Sequence, residues 1–425
     1  MEQLMQYIFQ HRLWLQSDMH TVDGRRVEIL DTGTLNTDAG PDFYNAKVKI
    51  DNELWVGNVE IHVRASDWNR HGHQHDEAYD SVILHVVGRD DMAVRRSNGE
   101  VIPQMLMTCA PDFSRRYNEM VNSTLSELPC AREIEKLQSI YITDWLSTLA
   151  YERLYNKVDH IGDLLARFNN DWSEVAYITI ARALGFGVNS DPFERLALAL
   201  PLKFMLKHRD SLLSVEALLF GQAGLLDSTN QDPYVQRLIQ EYSFLATKFG
   251  LHPVQSLGWK MGRMRPQNFP HRRLATLAAF VHAGFVLGRE IFYATTEEDL
   301  RSIFRIELTG YWSRRYNFSA PASKSVNALS ESSITVLLIN VAIPLIYAYG
   351  QYLNDSATMD RAISLMQSLK PENNKIVELF VKAGIKCPDA FTSQALIELR
   401  RQYCEPKKCL YCRIGHRLLA QKVKP

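Results

Sequence analysis

The chain has no net charge, because 48 lysines and arginines are offset by 48 aspartates and glutamates over 425 residues. Whole-chain electrostatics therefore single out no anionic or cationic partner. There is no Walker A loop, no dinucleotide-binding glycine fingerprint and no serine-hydrolase elbow, so no nucleotide or acyl-transfer motif is present. The start, MEQLMQYIFQHRLWLQ, lacks the basic flank, apolar centre and small-residue cleavage site of a secretory signal. Long apolar runs are scarce. The best, ITVLLINVAIPLIYAY at 334–349, is interrupted by Asn340 and Pro344 and is shorter than the roughly 20 residues of a membrane span, which predicts a buried core helix. Cysteine is also scarce. Of six, three crowd into 404–412, a distribution that fits cytoplasmic thiols or metal ligands and not a disulfide framework. Cys109 and Cys387 read as ordinary buried residues. Internal repeats and low-complexity tracts are absent.

What is present is an ordinary globular composition, 46% hydrophobic and 23% charged, long enough for two or three domains. Charge is uneven locally. Residues 23–91 hold 14 acids against 7 lysines and arginines, whereas 242–289 hold seven basic residues and no acid. Residues 1–125 read as mixed α/β. MEQLMQYIFQHRLWLQ is a short amphipathic helix, and RRVEILDTG, DFYNAKVKID, LWVGNVEIHV and SVILHVVG are strands. The second and third of these are joined through Asp51-Asn52 as a hairpin. A Ser-Asn-Gly turn sits in MAVRRSNGEVIPQMLM. From about 130 the apolar period becomes helical, with helices expected at 142–168, 172–186 and 191–208, then 212–222, 233–249, 270–290, 296–306, 331–352, 356–369, 372–383 and 391–402. Thr143 or Asp144 could cap the first. The expected class is α+β: a mixed-sheet domain with flanking helices (1–125), a larger all-α domain (126–400) and a Cys-rich metal-binding tail packed on the body (401–425).

The unusual stretch is 39–87, which alternates like buried strands yet holds five of the thirteen histidines and eight carboxylates. Side chains two apart on a strand share a face, so Glu60 and His62 point one way and Val59, Ile61 and Val63 the other. A hairpin brings Asp42 towards Glu60 at one end. Two carboxylates are hard oxygen ligands suited to Mg²⁺ or Mn²⁺, which would orient and acidify a water. Beyond them, RHGHQHD alternates His71, His73 and His75, possible ligands for Zn²⁺ or Mn²⁺ or acid–base groups if the segment is extended. His85, inside VILHVV, reads as a satisfied core residue.

Pro41-Asp42, a spacer, then Glu60-Ile61-His62 resembles the PD-(D/E)xK motif of a nuclease superfamily. The resemblance implies a nuclease core of helix, strand, hairpin and further strand, with Asp42 and Glu60 as metal ligands and an acid of the first helix, Glu2, as an occasional addition. His62 stands where the superfamily has lysine. It could act as general base but supplies no fixed charge at neutral pH, and Lys47 or Lys49 of the neighbouring strand is the candidate to supply that charge. The segments AGPDFYNAKVKID, GNVEIHVRASDWNRHGHQHDEAYDSVILHVV, GRMRPQNFPHRRLATLA and YCEPKKCLYCRIGHRLL also resemble an uncharacterised bacterial family, a domain of unknown function, which implies the same two-part architecture and no established activity.

The tail reads C-x4-C-x2-C-x3-H over Cys404, Cys409, Cys412 and His416. These residues could form a Cys₃His zinc site, or an iron–sulfur cluster whose fourth thiolate comes from elsewhere, with Cys130 a candidate. Residues 258–278 interleave Trp259 and Phe269 with Lys260, Arg263, Arg265, Arg272 and Arg273, a composition suited to phosphates and stacked bases. The alternative for these groups is burial in an interface. Three functions are expected from this: a metal-dependent nuclease-like protein, active or degenerate, acting on or binding DNA; a non-catalytic nucleic-acid or protein-binding scaffold; and a His-rich metallohydrolase.

Overall fold

The computed structural model describes residues 1–36, 38–108, 111–122, 128–131, 133–284, 290–319, 321–322, 325 and 328–420. Cys109 and the boundary expected at 125/126 lie outside them. The chain divides into two compact units, Met1–Trp145 with Arg401–Pro425, and Leu146–Arg400. The tail thus belongs to the first unit.

The first unit opens with α1 (Glu2–Gln10), followed by strands β1 (Met19–His20), β2 (Arg26–Asp31), β3 (Thr34–Leu35), β4 (Phe43–Ile50) and β5 (Glu53–Arg64). A short helix α2 (Asp67–Arg70), β6 (Val82–Arg89), β7 (Gln104–Leu106) and α3 (Pro111–Val121) complete its N-terminal part. The sheet order is β1-β2-β4-β5-β6-β7, with β3 beside β4. β4 and β5 are the expected antiparallel hairpin, and β5, β6 and β7 run parallel. β6 reads as an unbroken apolar run because both faces of the sheet are covered there. One face packs on α1, where Phe9 meets Phe43 edge-on at 5.1 Å. The other carries Trp68 and Tyr79, which form a core with Val82, Val94 and Ile102.

α1 stops at Gln10, well short of the expected Gln16, because Arg12 turns the chain at φ +54°. β4 carries a bulge between Phe43 and Ala46, with Asn45 at φ +56°, which returns Ala46, Val48 and Ile50 to the core face that Phe43 occupies.

The second unit is helical. α4 (Ser139–Arg167) leads into it, starting before the expected cap, so Thr143 and Asp144 lie inside the helix. α5 (Trp172–Leu184) is capped by the Asp171 carboxylate. The helix expected over 191–208 is two, α6 (Ser190–Ala199) and α7 (Leu202–Leu206). Pro201 parts them, and the Leu202 N–H is taken up by the Glu174 carboxylate at 3.1 Å. Then come α8 (Leu212–Gln222), α9 (Pro233–Phe249), α10 (Pro270–His282), α11 (Glu290–Tyr293) and α12 (Glu297–Phe304). α13 (Glu331–Leu337) and α14 (Ile343–Leu353) are joined by a π turn over Leu338–Ala342. Pro344 cannot donate to the carbonyl of Asn340, and the turn widens there. Glu331–Leu353 is long and apolar enough to cross a membrane, and 72% of its apolar window is buried in the protein, as expected of a core helix. α15 (Ser356–Ser368), α16 (Lys375–Lys382) and α17 (Ala390–Glu398) close the unit. A second π turn, Leu399–Cys404, leads to α18 (Arg413–Ala420), which returns to the first unit and packs against α3. Arg116 of α3 donates to the carbonyl of Leu418, and Lys407 to that of Val121. Cys387, expected buried, is half-exposed.

Candidate functional site

Asp42 stands at the entry to β4, opposite Glu60 of β5. The Asp42 N–H donates to Glu60 Oε2 at 3.0 Å, and the Ile61 N–H donates to Asp42 Oδ2 at 2.9 Å. Gln6 of α1 reaches Asp42 Oδ1 at 2.8 Å. The two acids therefore close the end of the hairpin through each other's backbone, which leaves Glu60 Oε1 free of backbone partners and turned towards the histidines. Glu2 lies close enough for its charge to act on Asp42, Glu60 and His73. Lys47 does not join them. It is exposed and pairs with Val56, four residues before Glu60 and so about 13 Å away along β5. Lys49 is further still, opposite Leu54.

The histidine segment is not extended. α2 ends at His71, Gly72 follows at φ +83°, and His73–His75 form a single 3₁₀ turn. This reversal, and not strand alternation, sets His71 and His73 side by side over His62, while His75 points to solvent. His62, His71 and His73 each offer a nitrogen within 4.8 Å of the others. Glu60 Oε1 is 3.4 Å from His62 Nε2 and 3.3 Å from His73 Nε2, and His62 Nε2 is 3.2 Å from His71 Nδ1. Four donors on a tetrahedron with bonds of 2.0–2.1 Å would stand about 3.3–3.4 Å apart. The Nε2 of His73 is buried without a hydrogen-bond partner. Gly72→Ala is expected to cost about 1–2 kcal/mol, since an L-residue resists this left-handed backbone, and to displace His71 and His73 from His62. Thermal melting of the variant tests the cost.

A second layer fixes the rings. His62 Nδ1 bonds His85 Nε2 at 2.8 Å, and His73 stacks on Tyr79 with centroids 3.8 Å apart. Trp68, fully buried, lies against His62, His73 and His85 and donates its indole N–H to the Arg95 carbonyl at 3.1 Å. His85 is therefore tied into the site and is only partly satisfied, as its Nδ1 has no partner. Gln6, Trp68 and Tyr79 were not anticipated from the sequence. The only cue was an aromatic residue at each end of a His-rich segment.

Burial is the largest influence on every titration here. It drives His62 down to about 2 and His85 to about 3, with the neighbouring imidazoles adding to the effect. Both rings are neutral lone-pair donors throughout the physiological range. Burial holds Asp42 and Glu60 well above the ordinary carboxylate range, with the charge of Glu60 adding to it at Asp42 and that of Glu2 at both. Two buried acids facing neutral imidazoles are relieved by a cation.

Of the tail donors, His416 bonds the Tyr7 hydroxyl through Nδ1, and its ring packs on His11 at 4.9 Å. Cys130 instead lies within the electrostatic reach of Cys409 and Cys412. Cys404, Cys409 and Cys412 are buried.

The basic segment of the second unit divides in two. Arg272 and Arg273 are buried, 4% and 3% exposed, so they are not surface phosphate contacts. Trp259 is half-buried, its indole bonded to the Ala223 carbonyl at 3.0 Å and its ring edge-on to Phe193. Lys260, Arg263 and Arg265 are exposed.

Fold and site together define an α+β protein in which Glu60 and His62 of the central strand β5 meet His71 and His73 of the following loop. The chain belongs to the family described as protein of unknown function DUF2851, which matches residues 2–375. The tail segment from Tyr403 to Leu419 falls beyond that match. No curated protein and no solved structure is significantly similar to the chain.

Proposed function

We propose that the protein is a metal-dependent hydrolase of phosphodiesters, with a transition-metal ion held by Glu60, His62, His71 and His73. The observation that carries this reading is the convergence of three imidazoles whose nitrogens lie within 4.8 Å of one another, with Glu60 Oε1 3.4 Å from His62 Nε2 and 3.3 Å from His73 Nε2. Three imidazoles favour Zn²⁺ or Mn²⁺ over Mg²⁺, which prefers oxygen donors. Such an ion would act as a Lewis acid and polarise a bound water. His71 is exposed, so the cluster is open on that side to a substrate. Asp42 orients Glu60, and Arg70, which lies 3.5 Å from His71 Nε2, offers a cation at the rim for an anionic substrate. The test is hydrolysis of bis(p-nitrophenyl) phosphate and of DNA by metal-free protein reloaded with Zn²⁺, Mn²⁺ or Mg²⁺. Activity restored by Zn²⁺ or Mn²⁺ supports the reading, and inactivity with every ion opposes it.

The PD-(D/E)xK reading of the same site places Mg²⁺ between Asp42 and Glu60. Its support is the convergence of those acids beside Glu2 on a hairpin followed by parallel strands. Under that reading Mg²⁺ suffices, and Asp42→Asn is as damaging as His73→Ala.

DNA is the favoured substrate or partner, on the strength of the exposed cations Lys260, Arg263 and Arg265. Reversing all three to glutamate is expected to weaken DNA binding and to make the slope of log affinity against log salt shallower by about 2–3. Unchanged affinity would remove this surface from the account. DNA binding without cleavage under any metal would favour the scaffold alternative.

For the tail, an iron–sulfur cluster on Cys130, Cys404, Cys409 and Cys412 is the reading with most support. Cys130 sits by Cys409 and Cys412 and would supply the fourth thiolate. Among the described residues the sulfurs form no trio within 4.8 Å, whereas a zinc tetrahedron with 2.3 Å bonds needs edges of about 3.8 Å. A cluster, with several irons and sulfides between the thiolates, needs wider spacing. The backbone N–H groups of Ile414 and Gly415 act on the Cys412 sulfur and favour a thiolate there against the cost of burial.

A further inference from the structure

Arg272 and Arg273 occupy the first turn of α10 and are buried, 4% and 3% exposed. Arg272 donates through Nη1 to the carbonyls of Trp312 and Arg315, the latter at 3.2 Å. Arg273 donates through Nη2 to Asn268 Oδ1 at 2.6 Å and reaches Ser333 Oγ at 3.5 Å, with its guanidinium 4.2 Å over the Phe186 ring. The Nε of Arg273 is buried with no partner. Every one of these partners is neutral, and no carboxylate pairs with either guanidinium among the described residues. The two side chains line a narrow recess of about 10 Å³ that opens towards solvent where Gln267 and Ser330 are exposed, with Thr276 and Ser333 as its other polar walls.

Burying one unpaired cation is costly, and burying two side by side adds their repulsion. Burial weakens the hold of both on their protons, and the charge of Arg272 adds to this at Arg273. Neutral carbonyls and hydroxyls solvate the guanidinium edges but leave the charge uncompensated. An anion at the mouth of the recess would compensate it, and guanidinium with serine and amide donors is the set that suits tetrahedral oxyanions. We propose that Arg272 and Arg273, with Ser330, Ser333 and Gln267, form an anion site at the mouth of this recess that takes a phosphate group, either inorganic phosphate or the terminal phosphate of a larger ligand. The site lies within the helical unit and owes nothing to the metal cluster.

The test is thermal melting of the full chain in inorganic phosphate, in a nucleoside 5′-monophosphate, and in chloride at matched ionic strength. A saturable rise in Tm with phosphate, absent with chloride, is expected. A larger rise with the mononucleotide identifies a larger ligand, and an equal or smaller one identifies free phosphate. Arg273→Gln should lose the response, while His73→Ala should keep it, which separates this site from phosphate binding at the metal cluster. Should Arg273→Gln fail to fold, Ser333→Asp serves instead. Its carboxylate replaces the anion, so Tm rises without phosphate and the phosphate response disappears. Ser332→Asp, exposed in the same helical turn, controls for charge at a helix start. The proposal is overturned if no anion raises Tm saturably, if Arg273→Gln responds like the parent, or if Ser333→Asp behaves like Ser332→Asp.

Discussion

His73→Ala is expected to release the bound ion and abolish hydrolysis while leaving the sheet folded. His73 supplies an unpartnered buried nitrogen to the donor set, and its ring is held in place by Tyr79. Loss of an outer-layer partner alone commonly costs about 10–100-fold in metal affinity, so loss of a direct ligand should exceed that. The fold is less exposed to the change, because the hairpin and the apolar face of β5 do not depend on this ring. Metal content and circular dichroism of the variant check the two halves together. Asp42→Asn should retain metal, with at most a partial loss of activity, since Asp42 touches Glu60 through its own backbone N–H and receives the Ile61 N–H on its carboxylate. Equal, complete loss in both variants, with Mg²⁺ the sole activating ion, would move the ion to the acid pair and restore the nuclease-type arrangement.

The second large effect concerns the tail. Cys412→Ser and Cys130→Ser are each expected to lose iron, acid-labile sulfide and the brown absorption near the visible–ultraviolet edge, and Cys387→Ser to keep all three. Cys412 precedes α18, which Arg116 of α3 holds through the Leu418 carbonyl and which reaches α4 through Arg413 to Asp144 at 2.8 Å. Removing the cross-link should loosen residues 401–420, read as faster limited proteolysis near the C-terminus. One zinc per chain and no sulfide would replace the cluster with a zinc site. Protein purified without oxygen that holds neither metal would reject both readings.

Much of the first unit was legible from its sequence. Alternation in DFYNAKVKID and VGNVEIHV gave the hairpin and the shared face of Glu60 and His62, because a half-buried strand has period two. The bulge at Asn45 was not legible, since its extra residue shows only once the register with β5 is known. The histidine loop was misread for a related reason. Gly72 was treated as one residue of an extended segment, yet its left-handed backbone reverses the chain, and so His75, and not His71 or His73, falls away from the cluster. In the second unit Pro201 was visible as a residue but not used as a helix break. Arg272 and Arg273 illustrate a different limit. Basic composition suggested a surface, and only packing shows that these two guanidinium groups lie inside the unit while Lys260, Arg263 and Arg265 stay outside.

X-ray absorption of the purified protein at the metal edge tests the central claim most directly. One zinc or manganese per chain with about four nitrogen and oxygen neighbours near 2.0–2.2 Å, three of them imidazole, is the predicted result, and it should vanish in His73→Ala. A protein that takes up neither ion, or binds one with a shell of oxygens alone, would contradict it.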